Sequence, residues 1–330
     1  MSPSIRDVAR EARVSVPTVS AVISGRADAA RISTDTRRRI WSIVRSLGYR
    51  PSSAARSLRS AAPETIGYLA ASAGHMLLDS TSAEYMTGIA GGLRPARCRV
   101  LLLMIEDLLA ADPDSPPDYL LSRHFDALAV EPPGDGRPEF EETIRSLGVP
   151  VVWLNVPASP TRISVSRDDE EASRLAVQEL LALGHSRIAC LHPAAEPRDE
   201  RARGYFDATR AAGLAPVFLL PPARWEEGHR RFFTRPPAAV LAYNMTLAWE
   251  TRRALAGLGL QVPRDVSLIS ANDGLAAVRD LVGISAMSRD RLGMGAVAAE
   301  LLLAMLRGRA VESRVFHASL VDRGSTARAT

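Results

Sequence analysis

The stretch IRDVAREARVSVPTVSAVISG, residues 5–25, decides how the first part of the chain folds. Ser4 precedes its first apolar residue and Asp7 follows three positions later, a pattern typical of a capping box at a helix start. Ser15 predicts the cap of a second helix, which tolerates Pro17 in its first turn. Only a tight turn fits between the two helices, so the stretch predicts a helix-turn-helix.

A third helix is predicted to begin at Ser33, with an apolar face that would hold the first two helices in place. Residues 1–60 contain 12 Arg and 4 Asp or Glu, a net charge of +8. The whole chain carries +4, so residues 61–330 carry −4. A basic head on a mildly acidic body is typical of phosphate binding, and the second helix of this motif fits the DNA major groove. The alternative is a small helical bundle without a nucleic-acid role, and the charge asymmetry argues against it.

The segment SSAARSLRS, residues 52–60, has Leu58 as its one large apolar residue. A helix this short is marginal in water. On DNA it could become ordered, and Leu58 would then act as a wedge between base steps in the minor groove. A flexible linker with an incidental Leu is an equal alternative.

From Thr65 onward, short apolar runs alternate with helical stretches, which predicts parallel sheets with helices on both faces. The predicted strands lie at 65–71, 99–105, 125–130, 149–155, 187–192, 216–220, 238–242 and 266–270. The predicted helices lie near 83–93, 138–147, 169–183, 199–212, 245–258 and 292–307. Pro157 and Pro160 break the series into two halves. The predicted fold class is therefore α/β, a bilobed body of two doubly wound parallel sheets behind an all-α head.

Short motifs in both parts resemble one known family. In the head and hinge they are Asp7-Val8-Ala9, Val14-Ser15, Thr18-Val19-Ser20, Thr36-Arg37, Leu47-Gly48-Tyr49, Pro51 and Ala55-Arg56-x-Leu58. In the body they include Gly184-His185-x-x-Ile188-Ala189, Arg201-x-x-Gly204-Tyr205, Val262-Pro263-x-Asp265-Val266-Ser267 and Arg323-Gly324-Ser325-Thr326. The head resembles that of the LacI/GalR (lactose-repressor/galactose-repressor) family of bacterial transcription regulators, and the body resembles the family's periplasmic-binding-protein-like core.

The resemblance implies three parts: a DNA-binding head at residues 1–50, a hinge helix or linker at 51–62, and an effector-binding and dimerisation core at 63–330. It implies a sequence-specific regulator, a repressor, that acts as a homodimer on double-stranded operator DNA. A small molecule between the lobes, a sugar or sugar derivative, would modulate operator affinity. No cofactor and no metal are implied.

The family's core crosses three times between its lobes. Lobe one is therefore expected at about 63–159 plus part of 290–322. Lobe two is expected at about 160–289 plus the tail.

By the same resemblance, a set of residues is expected to contact DNA. They are Ser15, Val16, Pro17, Thr18, Ser20, Ala21, Ser33, Thr36, Ser52, Ala55 and Leu58. Ala21 replaces a common Arg, so the bidentate Arg–guanine contact is absent there. The hydroxyls would contact phosphates, which position the protein without specifying sequence. Arg13 replaces the usual turn Gly, which predicts a strained or altered turn.

A second set is expected to contact the effector: Asn155, Arg167, Arg201, Trp225, Asn244 and Asn272. Met245 and Asn272 each stand where the family usually has Asp. These departures leave open a regulator of the same fold that has lost sugar sensing.

Two of these residues, Arg167 and Arg201, with few acids nearby, predict a positive cleft. The hypothesis is an anionic effector, a carboxylate or a phosphorylated sugar, held by bidentate contacts to Arg201 and Arg167. In the alternative, Arg167 points to solvent or pairs with Asp168 or Glu171.

The remaining motifs do not indicate an enzyme. The segment 293–298, GMGAVA, matches the dinucleotide fingerprint GxGxxA, but no strand is predicted before it and no acidic strand end follows about 20 residues on. Its small residues are instead predicted to pack a helix closely. The six His show no metal-ligand spacing.

Compartment is predicted from similar observations. No basic and apolar leader opens the chain, and no apolar run approaches the roughly 20 residues that span a bilayer. We therefore expect a cytoplasmic protein without a membrane partner. A solute-binding protein is an alternative that the basic head opposes.

Overall fold

The computed structural model of the chain describes residues 4–23, 32–47, 65–70, 80–104, 125–132, 138–225, 231–233, 238–274 and 283–329. Two compact units make up the chain, Met1–Pro63 and Glu64–Thr330.

The described head consists of α1 (Ile5–Glu11), α2 (Val16–Ile23) and α3 (Thr34–Ser46). The predicted capping box is present, because the Asp7 amide donates to Ser4 Oγ at 3.3 Å and the Ser4 amide donates to Asp7 Oδ2 at 2.9 Å. Apolar side chains from all three helices close over one core, formed by Val8, Ala9, Ala12, Val19, Val22, Ile40 and Val44.

The second unit alternates strands and helices as predicted. Its strands are β1 (Thr65–Ala70), β2 (Arg99–Met104), β3 (Ala127–Val130), β4 (Val151–Leu154), β5 (Ser164–Arg167), β6 (Ile188–Leu191), β7 (Phe218–Leu219), β8 (Ala238–Ala242), β9 (Val266–Ser270), β10 (Ser285–Ser288), β11 (Arg314–Phe316) and β12 (Ser319–Val321). Its helices include α4 (Ser80–Leu93), α5 (Pro138–Ser146), α6 (Asp169–Ala182), α7 (Glu200–Ala211), α8 (Met245–Gly257) and α9 (Arg291–Leu306).

The strands form two sheets, one for each lobe. The first has the order β11-β5-β4-β3-β1-β2, and all its neighbours are parallel. The second has the order β12-β10-β9-β8-β6-β7, and only the β12–β10 pair is antiparallel. Buried clusters cover both faces of each sheet, as doubly wound folds require.

The chain crosses between the lobes after β5, after β10 and between β11 and β12. The first crossing is expected near residue 160, but β5 still pairs with β4, through Trp153 and Ser164. The chain turns back between Ser159 and Arg162, which form an isolated bridge. Pro157 and Pro160 therefore mark a turn inside lobe one, and the crossing itself lies at Asp168.

Strand β10 corrects another prediction. No strand is predicted before Gly293, yet β10 ends at Ser288. Three of its four residues are Ser or Ala, so it lacks the apolar run by which the other strands are recognised. The predicted close packing of the glycines is confirmed: a Cβ on Gly295 would lie 2.3 Å from the Tyr85 carbonyl oxygen, and one on Gly88 would lie 2.1 Å from that of Leu292.

Within the described residues, no helix combines the length and the apolar content that a membrane crossing needs.

Candidate nucleic-acid interface and effector cleft

Helix α2 turns one side to the head core and leaves the other outside it. Val19 and Val22 are buried in the core. Pro17 is exposed. Ser20 and Ala21, which lie between the two valines in the sequence, are half-buried. Val16, another of the residues predicted to contact DNA, packs against the core and is half-buried.

Hydroxyl groups stand at the first turns of α2 and α3. Ser15 and Thr18 share a hydrogen bond of 2.8 Å, and the Thr18 amide donates to Ser15 Oγ at 3.3 Å. Ser33 and Thr36 repeat the arrangement at 2.9 and 3.3 Å. The predicted caps are therefore present, and helix starts of this kind suit phosphate contacts. Ser52, Ala55 and Leu58 lie outside the described residues.

The turn between α1 and α2 has the strain that the sequence predicts. Arg13 has a φ of 51°, in the left-handed region that favours glycine. Its amide donates to the Arg10 carbonyl at 3.2 Å, and the Val14 amide donates to that of Ala9 at 3.1 Å. These bonds fix the sharp reversal that sets α2 against α1.

The effector residues lie at the carboxyl ends of the strands, where ligands bind in open α/β sheets. On the lobe-one side, Asn155 follows β4 and Arg167 ends β5. On the lobe-two side, Asn244 follows β8 and Asn272 follows β9. One ion pair joins the two edges: Arg167 at the end of β5 lies 3.0 Å from Asp169, the first residue of the lobe-two helix α6.

Three arginines converge on the buried carboxylate of Asp169, the first residue of α6. Arg167 Nε lies 3.0 Å from Asp169 Oδ2, and Arg201 approaches the same oxygen with Nε and Nη2, both at 3.1 Å. Arg289 Nη2 lies 2.9 Å from Asp169 Oδ1 and also donates to the Asp168 carbonyl at 3.0 Å. We name Arg167, Asp169, Arg201 and Arg289 the hinge cluster.

The charges in the hinge cluster shift one another's pKa values. Burial alone would raise the pKa of Asp169, but Arg167, Arg201 and Arg289 hold it below its ordinary value. Burial lowers the pKa of Arg289 to about 10, and the charges of its arginine neighbours, including Arg291, act in the same direction while Asp169 opposes them. Burial also opposes the charged form of Arg167, yet Asp169 keeps the pKa of Arg167 raised.

Both arginines have partners within the protein, and their roles as effector contacts stay predictions. The alternative proposed that Arg167 pairs with Asp168 or Glu171, but Arg167 pairs with Asp169. Arg201 uses its Nε–Nη2 edge on Asp169, donates from Nη1 to the Tyr243 carbonyl at 2.8 Å, and lies over the Tyr243 ring at 4.4 Å.

A second buried carboxylate, Glu131, follows β3 in lobe one. Its Oε2 accepts from Tyr68 Oη and Ser82 Oγ, both at 2.7 Å. Asn155 Nδ2 donates to Glu131 Oε1 at 3.3 Å, and Tyr85 Oη donates to Asn155 Oδ1 at 2.6 Å. The expectation of few acids is therefore wrong, because Glu131 and Asp169 both lie at this edge.

The polar side chains of lobe two already have structural partners. Asn244 Oδ1 accepts from the Leu247 amide at 2.9 Å and caps α8, and Asn272 Oδ1 accepts from the Met245 amide at 3.3 Å. Trp225 Nε1 donates to the Leu220 carbonyl at 2.6 Å.

The Trp225 ring packs 5.1 Å from that of Phe233, against the lobe core. The roles of Asn244, Asn272 and Trp225 as effector contacts stay predictions.

Among the described residues, one group has metal-ligand spacing. Ligand atoms of Asp168, Glu171 and His317 lie within 4.8 Å of one another. Glu171 and His317 pair directly at 2.5 Å, and Asp168 Oδ1 accepts from the Glu171 amide at 2.7 Å as the cap of α6. An ion pair and a helix cap explain the group.

Sequence reasoning missed three central residues of this edge, Glu131, Asp169 and Arg289. Glu131 follows the buried run ALAV directly, and a charge at that point was an available signal. Arg289 follows a strand that was not recognised. Asp169 stands in an acidic run, DDEE, that looks like an ordinary helix start.

Comparisons with known proteins show which family the chain belongs to. Residues 4–52 match the family model for bacterial regulatory proteins of the lacI family, and residues 177–326 match that of a periplasmic binding protein-like domain. The transcriptional regulator AscG of Escherichia coli (strain K12) is 30% identical over 278 residues, which cover 81% of each chain. The chain belongs to the LacI family of bacterial regulatory proteins.

Solved structures agree on the fold of this LacI-family regulator. The Lac repressor dimer, bound to operator and an anti-inducer, matches with a TM-score of 0.80 at 22% identity, covering 99% of this chain and 100% of that one. The transcriptional regulator CelR, in complex with cellobiose, matches at 0.64 and 24% identity, covering 98% and 99%. The LacI-family chain is a DNA-binding transcriptional regulator with a helix-turn-helix head and a bilobed body.

Proposed function

We propose that this regulator is a cytoplasmic, homodimeric repressor that acts by binding and not by catalysis. Val16, Pro17 and Ala21 of α2 read base edges, while Ser15, Thr18, Ser20, Ser33 and Thr36 contact phosphates. Ser52, Ala55 and Leu58 act from the hinge segment 51–62. The observation that carries the proposal is α2 itself, which has no acidic residue and leaves a polar and small-residue side outside the head core.

A small molecule, a sugar or sugar derivative, occupies the cleft between the lobes and changes operator affinity. Arg167 of lobe one and Arg201 of lobe two support this proposal, because both contact the Asp169 carboxylate, and Asn155 follows β4 at the lobe-one edge. Asn244, Asn272 and Trp225 complete the proposed contacts from lobe two. Dimerisation is proposed from the likeness to the Lac repressor, since two linked heads multiply effective concentration on a pseudo-palindromic site.

The test measures DNA retention by the purified full chain, with fragments from the neighbourhood of its own gene. Between 50 and 200 mM salt the affinity should fall by about a thousandfold or more if roughly six or more phosphates are contacted. Ser20→Glu should lower affinity at least a hundredfold, because a carboxylate would face the groove.

The control is Ser46→Glu, which adds the same charge near the end of α3 and should have a much smaller effect. If no fragment is retained in a salt-sensitive way, with or without metabolites, the proposal is refuted.

The second candidate is a regulator that has lost sugar sensing, favoured by Met245, which is buried, and Asn272, whose Oδ1 is held by the Met245 amide. Thermal unfolding with a panel of sugars, sugar phosphates and acids separates the two. A raised midpoint with any of them supports a sensing cleft.

A further inference from the structure

The hinge cluster holds more positive than negative charge. Three guanidinium groups contact one carboxylate directly, and Asp169 is almost fully buried. Arg289 is buried too, and its Nε has no hydrogen-bond partner among the described residues. Charges removed from water in this way are normally paired. The Glu131 carboxylate, whose charge also acts on Arg167, offsets one of the two excess positive charges, and the other remains for a further anionic partner.

Arg167 is the member of the cluster that can reach such a partner. It approaches Asp169 with Nε at 3.0 Å, and the described contacts include no hydrogen bond from either of its terminal nitrogens. The side chain is 22% exposed, the largest fraction in the cluster, and it lines a cavity of about 440 Å³ that none of the other predicted effector residues lines. The Nη1–Nη2 edge of a guanidinium matches two oxygens of a carboxylate or a phosphate.

Four carboxylates also line this cavity, namely Asp168, Glu170, Glu171 and Glu200. Each of these carboxylates already has a partner within the protein. Arg203 lies 3.1 Å from Glu170 and 3.9 Å from Glu200, and Arg174 lies 3.5 Å from Glu171. Asp168 caps α6. Arg203 and its partners are about half exposed, so water and salt screen their field more than that of the buried cluster.

We propose that the hinge cluster binds an anionic group of the effector, a carboxylate or a phosphate ester, through the terminal nitrogens of Arg167 beside the Asp169 carboxylate. This deepens the proposed function and rests on it, because it names the chemical class of the molecule in the cleft. Asp169 already fills one anionic position between the arginines, and the effector supplies the second. Both sit at the first lobe crossing, so the bound anion would tie β5 of lobe one to α6 of lobe two.

The experiment is thermal unfolding of the full chain with inorganic phosphate or malonate, balanced with chloride at constant ionic strength. With phosphate tenfold above its dissociation constant, the midpoint should rise by about 3 °C. Arg167→Gln should abolish the rise. Arg174→Gln, which removes the same charge from the same cavity, should keep it. A rise with phosphate alone indicates a phosphate ester, and a rise with malonate alone indicates a carboxylate.

A second variant tests the position filled by Asp169. Asp169→Asn removes the internal carboxylate, so phosphate should raise its midpoint more than that of the unsubstituted chain, while glucose should not. No rise with either anion, or an equal rise in Arg167→Gln, overturns the anion proposal. DNA retention by the same preparations keeps the two proposals apart: retention without an anion response removes only the anion, and loss of retention removes the proposed function.

Discussion

Arg13 shows how one residue can strain the part of the molecule that contacts DNA. A left-handed φ of 51° places its Cβ close to backbone atoms, which in a residue other than glycine stores about 1 kcal/mol or more. The strain persists because α1 and α2 are both fixed by the head core. The side chain itself is exposed and takes no part in that core.

Replacing Arg13 with glycine should therefore stabilise the head by about 1 kcal/mol. Hydrogen exchange of the α1 and α2 amides in the full chain measures this, and their protection should rise severalfold. Arg6→Gly removes the same charge from an exposed position inside α1, and its protection should fall by a similar factor. Equal changes in both variants would show that charge, and not backbone strain, is responsible.

At the residue scale, local chemistry was predictable and long-range partners were not. Ser4, Ser15 and Ser33 were identified as caps because a cap depends on residues three positions away. Asp169 lies only two positions after Arg167, but it lies 32 positions before Arg201 and 120 before Arg289, its other two partners. Residues that only the tertiary fold brings together cannot be identified from their spacing in the sequence.

At the scale of elements, α4 and α9 pack through their backbones. The glycines that face each other, Gly88 and Gly295, leave no room for a Cβ, and Ala299 lies against Gly92. Such close approach buries both helices against the first sheet, with Tyr85, Ile89, Met294 and Ala298 in one core. The glycines in both helices therefore allow the helices to pack closely. In α9 their spacing also matches the dinucleotide fingerprint GxGxxA.

Gly88→Ala should lower the free energy of unfolding of the body by about 1–3 kcal/mol, because the new methyl group would overlap the Leu292 carbonyl. Gly91→Ala, one turn along the same helix, has open space around the new Cβ. It should be neutral or stabilising by up to about 1 kcal/mol, since alanine favours the helix. Thermal unfolding of the two variants decides, and equal midpoints would contradict the packing account.

The apolar strands are predicted well, and four strands are missed: the short β11 and β12, and the serine-rich β5 and β10. Both carry serines at buried positions: Ser164 and Ser166 in β5, and Ser285 in β10. Ser285 Oγ donates to Asp322 at 2.8 Å, so tertiary hydrogen bonds replace the apolar signal on which the prediction depended. Missing these two strands displaced the first lobe boundary and concealed Arg289.

For the whole molecule, polar contacts tie the lobes at their crossings. Asp169, just after the first crossing, holds Arg289 from the second. Arg291 at the start of α9 pairs with Glu84 of lobe one at 3.0 Å and donates to the Asp273 carbonyl of lobe two at 2.6 Å. Movement of one lobe against the other must change these contacts, so the cleft and the relation between the lobes are coupled.

Asp169 should therefore govern the acid stability of the body. Its pKa is depressed in the folded chain, so its contribution is present above the ordinary carboxyl value near 4 and is lost as pH falls through the folded value. At pH 7, Asp169→Asn should lower the free energy of unfolding by about 3–5 kcal/mol, because two buried arginines and the half-buried Arg167 lose their carboxylate.

The difference between Asp169→Asn and the unsubstituted chain should shrink as pH falls below 4, since protonation removes the same charge that the substitution removes. Urea unfolding of the body, followed by circular dichroism from pH 7 to 3, measures it. Glu142→Gln, an exposed carboxylate on α5, should unfold with the unsubstituted chain at every pH. A deficit in Asp169→Asn that stayed constant with pH would mean that Asp169 contributes through packing, and the hinge cluster would then hold the lobes by shape and not by charge.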